Sequence, residues 1–146
     1  MAQINPYITF NGNCAEAFTF YNGVFGTESL QLMHYKDMPP AENCQEMPKE
    51  EGEKVMHACL KISDGYNLMG ADGSEMFGHS TIIGNNISVS INTESREEAD
   101  KLFNGLSNGG QVTMPMELTF WGAYFGMFID KFGINWMVNF DEDPMK

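Results

Sequence analysis

A segment that occurs twice constrains the fold of this chain more strongly than any other feature. Apolar residues recur at positions i, i+3, i+4 and i+7 in both copies, which predicts an amphipathic helix in each. The matched residues, separated by one constant offset, are Glu16, Ala17, Phe20, Tyr21, Asn22, Gly23 and Val24 in the first copy and Glu98, Ala99, Leu102, Phe103, Asn104, Gly105 and Leu106 in the second. Such a repeat indicates the duplication of a whole supersecondary unit.

The elements around each helix follow the same order, with one strand before the helix and three after it. In the first copy we predict a strand at 4–10, a helix that ends near Val24, and strands at 29–35, 55–62 and 66–71. In the second we predict a strand at 86–92, a helix, and strands at 111–116, 121–129 and 134–140. The expected fold is α+β, with two paired βαβββ modules forming a curved mixed sheet around a cleft. The single domain consists of repeat 1 (about 1–72) and repeat 2 (about 85–146).

Short polar signals predict where the helices begin and where the chain is loosely structured. Asn13 with Glu16, and Ser95 (or Thr93) with Glu98, are typical of helix N-caps of the capping-box type. Residues 37–54 contain three prolines and a dense acidic run, which predicts a mobile, solvated loop; a lid over the cleft is the alternative. The glycine-rich segment 72–85 is predicted to link the two halves.

The C-terminal stretch 119–139 is rich in aromatic residues and predicts a hairpin. Large residues alternate with smaller ones from Trp121 onward, and Trp136 shares one face of the last strand with Val138. The intervening turn at 130–133 has Asp and Gly where a tight turn favours them. This hairpin is too apolar to be stable alone, so the rest of the chain must cover it.

Composition excludes several classes of function. A net charge of −12 and an isoelectric point near 4.4 argue against binding to nucleic acid or to an anionic membrane surface. No apolar run is long enough to span a bilayer, and the N-terminus lacks the pattern of a signal peptide. The three cysteines form no CxxC pair, which fits reduced thiols and a cytoplasmic location.

Several strings along the chain resemble the PhnB-like branch of the vicinal oxygen chelate superfamily, which includes glyoxalase I, bleomycin-resistance proteins and extradiol dioxygenases. The strings are residues 4–12 (INPYITFNG), 17–25 (AFTFYNGVF), 56–58 (MHA), 120–122 (FWG) and 130–136 (DKFGINW). The resemblance covers nearly the whole chain. It implies the paired βαβββ fold and a homodimer, but one fold supports many chemistries.

Metal-using relatives place His or Glu ligands at one position on each of four strands. The corresponding positions here are Pro6, Leu68 or Met69, Asn86 and Met137. None supplies a ligand suited to a hard divalent cation, so no metal and no cofactor are expected. An alternative ligand set, formed by His34, His57, Asp72, Glu75 and His79, stays open. The branch also carries a methyltransferase name, yet the sequence lacks the Gly-rich loop that usually binds a methyl donor.

His57 is the candidate for acid–base chemistry, because it lies mid-strand between apolar neighbours and could point into the cleft. Cys59 lies on the same strand face, and Cys14 lies at the start of a helix. The predicted ligand pocket is aromatic and rich in methionine, and its residues are His57, Met69, Asp72, Asn86, Ser88, Trp121, Tyr124, Phe125 and Trp136.

Three functions are compatible with these patterns. The first is a metal-free protein that binds an unidentified small molecule. The second is a divalent-metal-dependent lyase or dioxygenase of the glyoxalase type, and the third is a dimeric interaction module without a ligand. The substitutions at the metal positions favour the first.

Overall fold

A computed structural model describes residues 2–37, 48–74 and 81–142 of the chain. The chain divides into two compact units, Met1–Ile82 and Ile83–Lys146. Among the described residues, no helix has the length and apolar character needed to cross a bilayer.

The first unit contains a four-stranded sheet in the order β1-β4-β3-β2. Strand β1 runs parallel to β4, and the other neighbours are antiparallel. Its elements are β1 (Tyr7–Phe10), α1 (Cys14–Phe25), β2 (Gln31–His34), a 3-10 turn (Tyr35–Asp37), α2 (Lys49–Gly52), β3 (Val55–Ser63) and β4 (Tyr66–Asp72).

The second unit contains a four-stranded sheet in the order β5-β8-β7-β6. Strand β5 runs parallel to β8, and the remaining pairs are antiparallel. Its elements are β5 (Val89–Asn92), α3 (Arg96–Ser107), β6 (Gln111–Leu118), β7 (Ala123–Ile129) and β8 (Asn135–Asp141).

The two units repeat the same topology at a fixed spacing. Strand β1 and helix α1 recur as β5 and α3 with both ends of both elements shifted by 82 positions, from 7–10 to 89–92 and from 14–25 to 96–107. The predicted α+β class, the βαβββ order and the constant offset are confirmed. The predicted cleft stays a prediction.

In the first unit, α1 packs on β3 and β4 through Cys14, Ala17, Phe18 and Tyr21. Phe18 lies so close to β4 that a Cβ at Gly70 would sit 2.8 Å from its ring. Two residues of the predicted stripe, Ala17 and Tyr21, are buried as predicted. The other two, Phe20 and Val24, are only half-buried, because the buried stripe begins three residues earlier, at Cys14.

In the second unit, the buried face of α3 is the predicted one: Ala99, Leu102, Phe103 and Leu106. Phe103 meets Phe128 edge-on at 5.1 Å between ring centroids, and Phe128 stacks on Trp136 at 6.3 Å. These aromatic pairs contribute beyond the area they bury.

Several strand ends and one loop differ from the prediction. Residues 4–6 precede β1 and residues 86–88 precede β5, while β6 continues past Pro115 to Leu118 with an irregular register there. The irregular register accommodates Pro115, which has no N–H group to donate to the sheet ladder. Part of the loop predicted at 37–54 forms α2, and Tyr35 N–H donates to Lys54 O at 3.0 Å. Residues 38–47 of that loop lie outside the described residues.

Candidate functional site

Each sheet has one face covered by its helix and one face that no helix in residues 2–37, 48–74 and 81–142 covers. Side chains alternate between the two faces along every strand. On the first sheet, the uncovered face, here called the first helix-free face, carries Tyr7, Met33, His57, Cys59 and Met69. The corresponding second helix-free face carries Ser90, Asn92, Met114, Phe125, Met127, Met137 and Asn139.

A hydrogen-bonded pair stands out on the first helix-free face. The Tyr7 hydroxyl lies 3.3 Å from His57 Nδ1, and the two rings are tilted with centroids 5.8 Å apart. Partial burial raises the pKa of the Tyr7 phenol, and the nearby Cys14 and Tyr35 raise it further. The phenol therefore stays protonated at neutral pH, and its oxygen can also accept a hydrogen bond from a protonated Nδ1.

Sulfur-containing side chains surround this pair. Cys59 is the direct cross-strand partner of Met69, and His57 is the direct partner of Met33. Met69 in turn pairs with Tyr7 on β1. The face thus combines soft, polarisable groups with one polar pair.

The second helix-free face has an apolar centre and a polar border. One row across the sheet aligns Ser90, Met137, Met127 and Met114. The next row aligns Asn92, Asn139 and Phe125, and the Asn139 amide donates to Asn92 Oδ1 at 3.2 Å and to Asp141 Oδ1 at 3.1 Å. Phe125, Met127 and Met137 are half-buried.

Three predicted pocket residues lie on these faces: His57 and Met69 on the first and Phe125 on the second.

A fourth predicted pocket residue, Asp72, has another role. Its side chain is 2% exposed and accepts from the backbone N–H groups of Gly12 (3.0 Å), Cys14 (2.9 Å) and Val55 (2.9 Å). This carboxylate takes the capping role predicted for Asn13, whose side chain makes no cap hydrogen bond.

Tyr124 and Trp136 lie on the side of the second sheet that packs against α3. The Trp136 indole is 1% exposed and donates to Asp130 Oδ2 at 2.8 Å. The Tyr124 hydroxyl donates to Asp100 at 2.6 Å, and that hydrogen bond together with burial raises its pKa. The contacts of both side chains are structural, and ligand contact stays a prediction.

The remaining predicted pocket residues lie outside the strands. Trp121 precedes β7, is 55% exposed and packs edge-on against Phe120. Asn86 and Ser88 precede β5. Ligand contact at these positions also stays a prediction.

Tyr7, Met33 and Asn139 were missed as candidate site residues. Strand alternation shows which residues of one strand share a face, but not which residue of the next strand lies opposite. Tyr7 meets His57 from 50 positions away. An aromatic residue on the first strand was the available signal, and it does not identify its partner.

Of the positions proposed from the metal-using relatives, Pro6 and Met69 are neighbours in the first unit, where the Pro6 carbonyl oxygen accepts from Met69 N–H at 3.1 Å. Leu68 is buried toward α1, and the repeat offset of 82 pairs Pro6 with Ser88 rather than Asn86. In residues 2–37, 48–74 and 81–142, no three His, Cys, Asp or Glu side chains gather closely enough to hold a metal ion. Of the alternative ligand set, Glu75 and His79 lie outside the described residues, as does Cys44.

The architecture defines the class to which this chain belongs. It has the glyoxalase/bleomycin-resistance fold. One structure with this fold is the glyoxylase/bleomycin resistance protein/dioxygenase domain from Frankia sp. EAN1pec, which is 12% identical in sequence. The TM-score is 0.65, and the match covers 99% of this chain and 96% of that one. The family model described as 3-demethylubiquinone-9 3-methyltransferase matches residues 2–139, and the chain belongs to that PhnB-like family.

Three relatives illustrate the family. Protein PA1353 from Pseudomonas aeruginosa is 40% identical, with a TM-score of 0.81 over 98% of this chain and 100% of that one. A putative 3-demethylubiquinone-9 3-methyltransferase, PhnB protein, from Bacillus cereus is 25% identical, with a TM-score of 0.69 over 95% of this chain and 99% of that one. Protein YjdN of Escherichia coli K12 is 30% identical over 93% of both chains. The resemblance found in the sequence is confirmed.

Proposed function

We propose that this protein binds a small, partly apolar organic molecule on the second helix-free face, without a divalent metal. The single observation that carries the proposal is the half-buried platform of Phe125, Met127 and Met137 bordered by the Asn92–Asn139 amide pair. Small-molecule sites are mostly apolar and contain a few polar groups that orient the ligand. The thioether side chains adapt to a ligand of irregular shape.

Charge and hydrogen bonding narrow the class of ligand. A net charge of −12 disfavours a free polyanion, while an amide pair offers both donors and acceptors to a neutral group. The platform stacks with a flat ring through Phe125. We therefore expect a neutral or weakly charged compound with an apolar ring and a carbonyl or hydroxyl group.

The test uses Nile red as a neutral apolar probe, together with native mass spectrometry of the purified protein. We expect Phe125→Ala to weaken Nile red binding by roughly tenfold or more, since a buried ring contributes a few kcal/mol. The matched control is Phe120→Ala, because Phe120 is 98% exposed and lies outside the platform. Equal weakening in both variants, with circular dichroism unchanged, would contradict the proposal.

The same preparations separate the other two functions. Stoichiometric nickel, zinc, iron or manganese in protein purified without chelator would favour the metal-dependent lyase or dioxygenase. No bound compound and no Nile red binding would favour the interaction module. The proposal also includes a cytoplasmic homodimer, which the family resemblance supports and which sedimentation analysis measures.

A further inference from the structure

Three soft metal-ligating side chains share one patch of the first helix-free face. Cys59 and Met69 are directly opposite on β3 and β4, and paired residues have Cβ atoms about 4.5–5.5 Å apart. His57 lies two residues before Cys59, and so on the same face at about 6.5 Å along the strand. Met33 pairs with His57 from the opposite side, on β2. A thiol, a thioether and an imidazole can therefore converge above one point of the sheet, with a second thioether beside them.

The contact with Tyr7 orients the imidazole for this role. Metal-binding histidines usually engage their second ring nitrogen in a hydrogen bond that fixes the ring. When Nδ1 carries the ring proton and donates to the Tyr7 hydroxyl oxygen at 3.3 Å, Nε2 keeps a free lone pair for a metal ion. The described residues thus provide both the donor atoms and the group that holds one of them.

Accessibility distinguishes Cys59 from the other described thiol. Cys14 is fully buried at the start of α1, whereas His57, Cys59 and Met69 are half-buried and open to an incoming ion. Thiolate and thioether ligands select monovalent copper, and imidazole also binds copper well. A single thiolate neutralises the single charge of Cu(I), so the occupied site would carry no net charge.

We propose that Cys59, Met69 and His57 bind one Cu(I) ion, with Met33 as an additional thioether ligand. Binding forms the Cu–S bond of Cys59 and releases its thiol proton to solvent, so no electron is transferred when copper is supplied as Cu(I). This soft-metal site goes beyond the proposed function, because it uses other residues on the other sheet. It shares the Met69 position with the site of the metal-using relatives but differs in ligand chemistry, because a thiolate and thioethers suit a soft monovalent ion and not a hard divalent cation.

The test is an anaerobic titration of the whole protein with Cu(I) in competition with the chromogenic chelator bathocuproine disulfonate. We expect one ion per chain, with affinity reduced at least about 100-fold in Cys59→Ser and about tenfold in Met69→Leu and His57→Ala. X-ray absorption should show sulfur and nitrogen neighbours in the wild type and the loss of one sulfur in Cys59→Ser.

Matched controls separate this site from other sulfur atoms. Cys14→Ala, Cys44→Ser and Met137→Leu should keep the wild-type copper affinity, and Cys59→Ser should keep the wild-type affinity for Nile red. Conversely, Phe125→Ala should bind Nile red more weakly and keep the wild-type affinity for copper. Either proposal can therefore fail while the other holds. No binding in competition with the chelator, or equal loss in Cys59→Ser and Met137→Leu, would overturn the copper site.

Discussion

The two repeats share a strand order and an offset, yet they stabilise the start of the helix in different ways. In the second repeat, Ser95 accepts from Glu98 N–H at 3.0 Å, and the Glu98 carboxylate accepts from Glu94 N–H at 2.9 Å. In the first repeat, the start of α1 is held by Asp72, which is 58 positions away at the end of β4. One helix is capped by its own sequence, and the other by the sheet.

Each repeat also contains a buried aspartate, and the two serve different elements. Asp130 accepts from Phe132 N–H at 2.8 Å, Ile134 N–H at 3.0 Å and the indole of Trp136, so it organises a turn and the following strand. Asp72 instead joins α1 to β3 through Cys14 and Val55. The difference teaches that a duplicated topology does not require duplicated polar contacts. Each copy needs its buried N–H groups satisfied, whichever residue supplies the acceptor.

The largest expected effect is at Asp72. Asp72→Ala leaves three backbone N–H groups without their acceptor, and we expect a loss of about 3–5 kcal/mol in the free energy of unfolding. Amide hydrogen exchange at Gly12, Cys14 and Val55 should accelerate together. The free energy of unfolding of Asp72→Asn should lie between those of the wild type and Asp72→Ala, because only one of the two polar atoms of the amide can accept hydrogen bonds.

The control for this prediction is Asp64→Ala. Asp64 is a fully exposed aspartate of the same unit, in a surface ion pair with Lys61, and its loss should leave the free energy of unfolding almost unchanged. If Asp72→Ala proved as mild as the control, the view that β4 caps α1 would be wrong.

An intermediate effect is expected at Cys14, whose counterpart in the second repeat is Arg96. Burial, together with the nearby Asp72, raises the pKa of the Cys14 thiol from its ordinary value near 9 to about 12. Because this acid is protonated in the folded protein, its stabilising contribution is full below pH 9 and is lost as the pH rises toward 12. Between pH 8 and pH 10, the wild type should lose roughly 1–2 kcal/mol more than Cys14→Ala.

Urea unfolding of both proteins at the two pH values measures this difference, since the lysines and the tyrosines other than Tyr7 titrate alike in each. Parallel loss of stability in the wild type and the variant would show that Cys14 does not stay protonated. Thiol labelling at pH 8 gives a second reading, in which Cys59 should react well before Cys14.

The smallest expected effect is at Ser95. Ser95→Ala removes a local cap at an exposed helix start, and the loss should be about 1 kcal/mol. Ser107→Ala, near the other end of α3, is the control and should be neutral or slightly stabilising, because Ala has the higher helix propensity. Thermal unfolding of both variants measures the difference. A loss at Ser95 as large as that at Asp72 would erase the contrast between the two repeats.

Much of the fold could be predicted because its signals are local. The spacing of Ala99, Leu102, Phe103 and Leu106 predicted the buried face of α3, and Ser95 predicted its beginning. The faces of β7 and β8 followed from alternation, with Trp136 and Val138 sharing one side. The predicted turn at Asp130 is confirmed by its hydrogen bonds to Phe132 and Ile134.

The candidate site was less predictable because it depends on register between strands. Asp72 and Trp136 were chosen as pocket residues for their chemical type, yet their polar atoms are engaged by Val55 and Asp130 respectively. A polar or aromatic residue near a strand end has the same sequence signature whether it faces a ligand or the core. Only the pairing of strands distant in sequence separates the two.

The amino-acid sequence by itself determined the duplicated βαβββ layout, the family and the buried stripe of α3, because helical spacing and strand alternation act over a few residues. The tertiary structure decided that Asp72 caps α1, that Tyr7 meets His57, and that Cys59 lies beside Met69. Those contacts join residues far apart in the chain, and a shift of one residue in strand register would have moved each side chain to the opposite face.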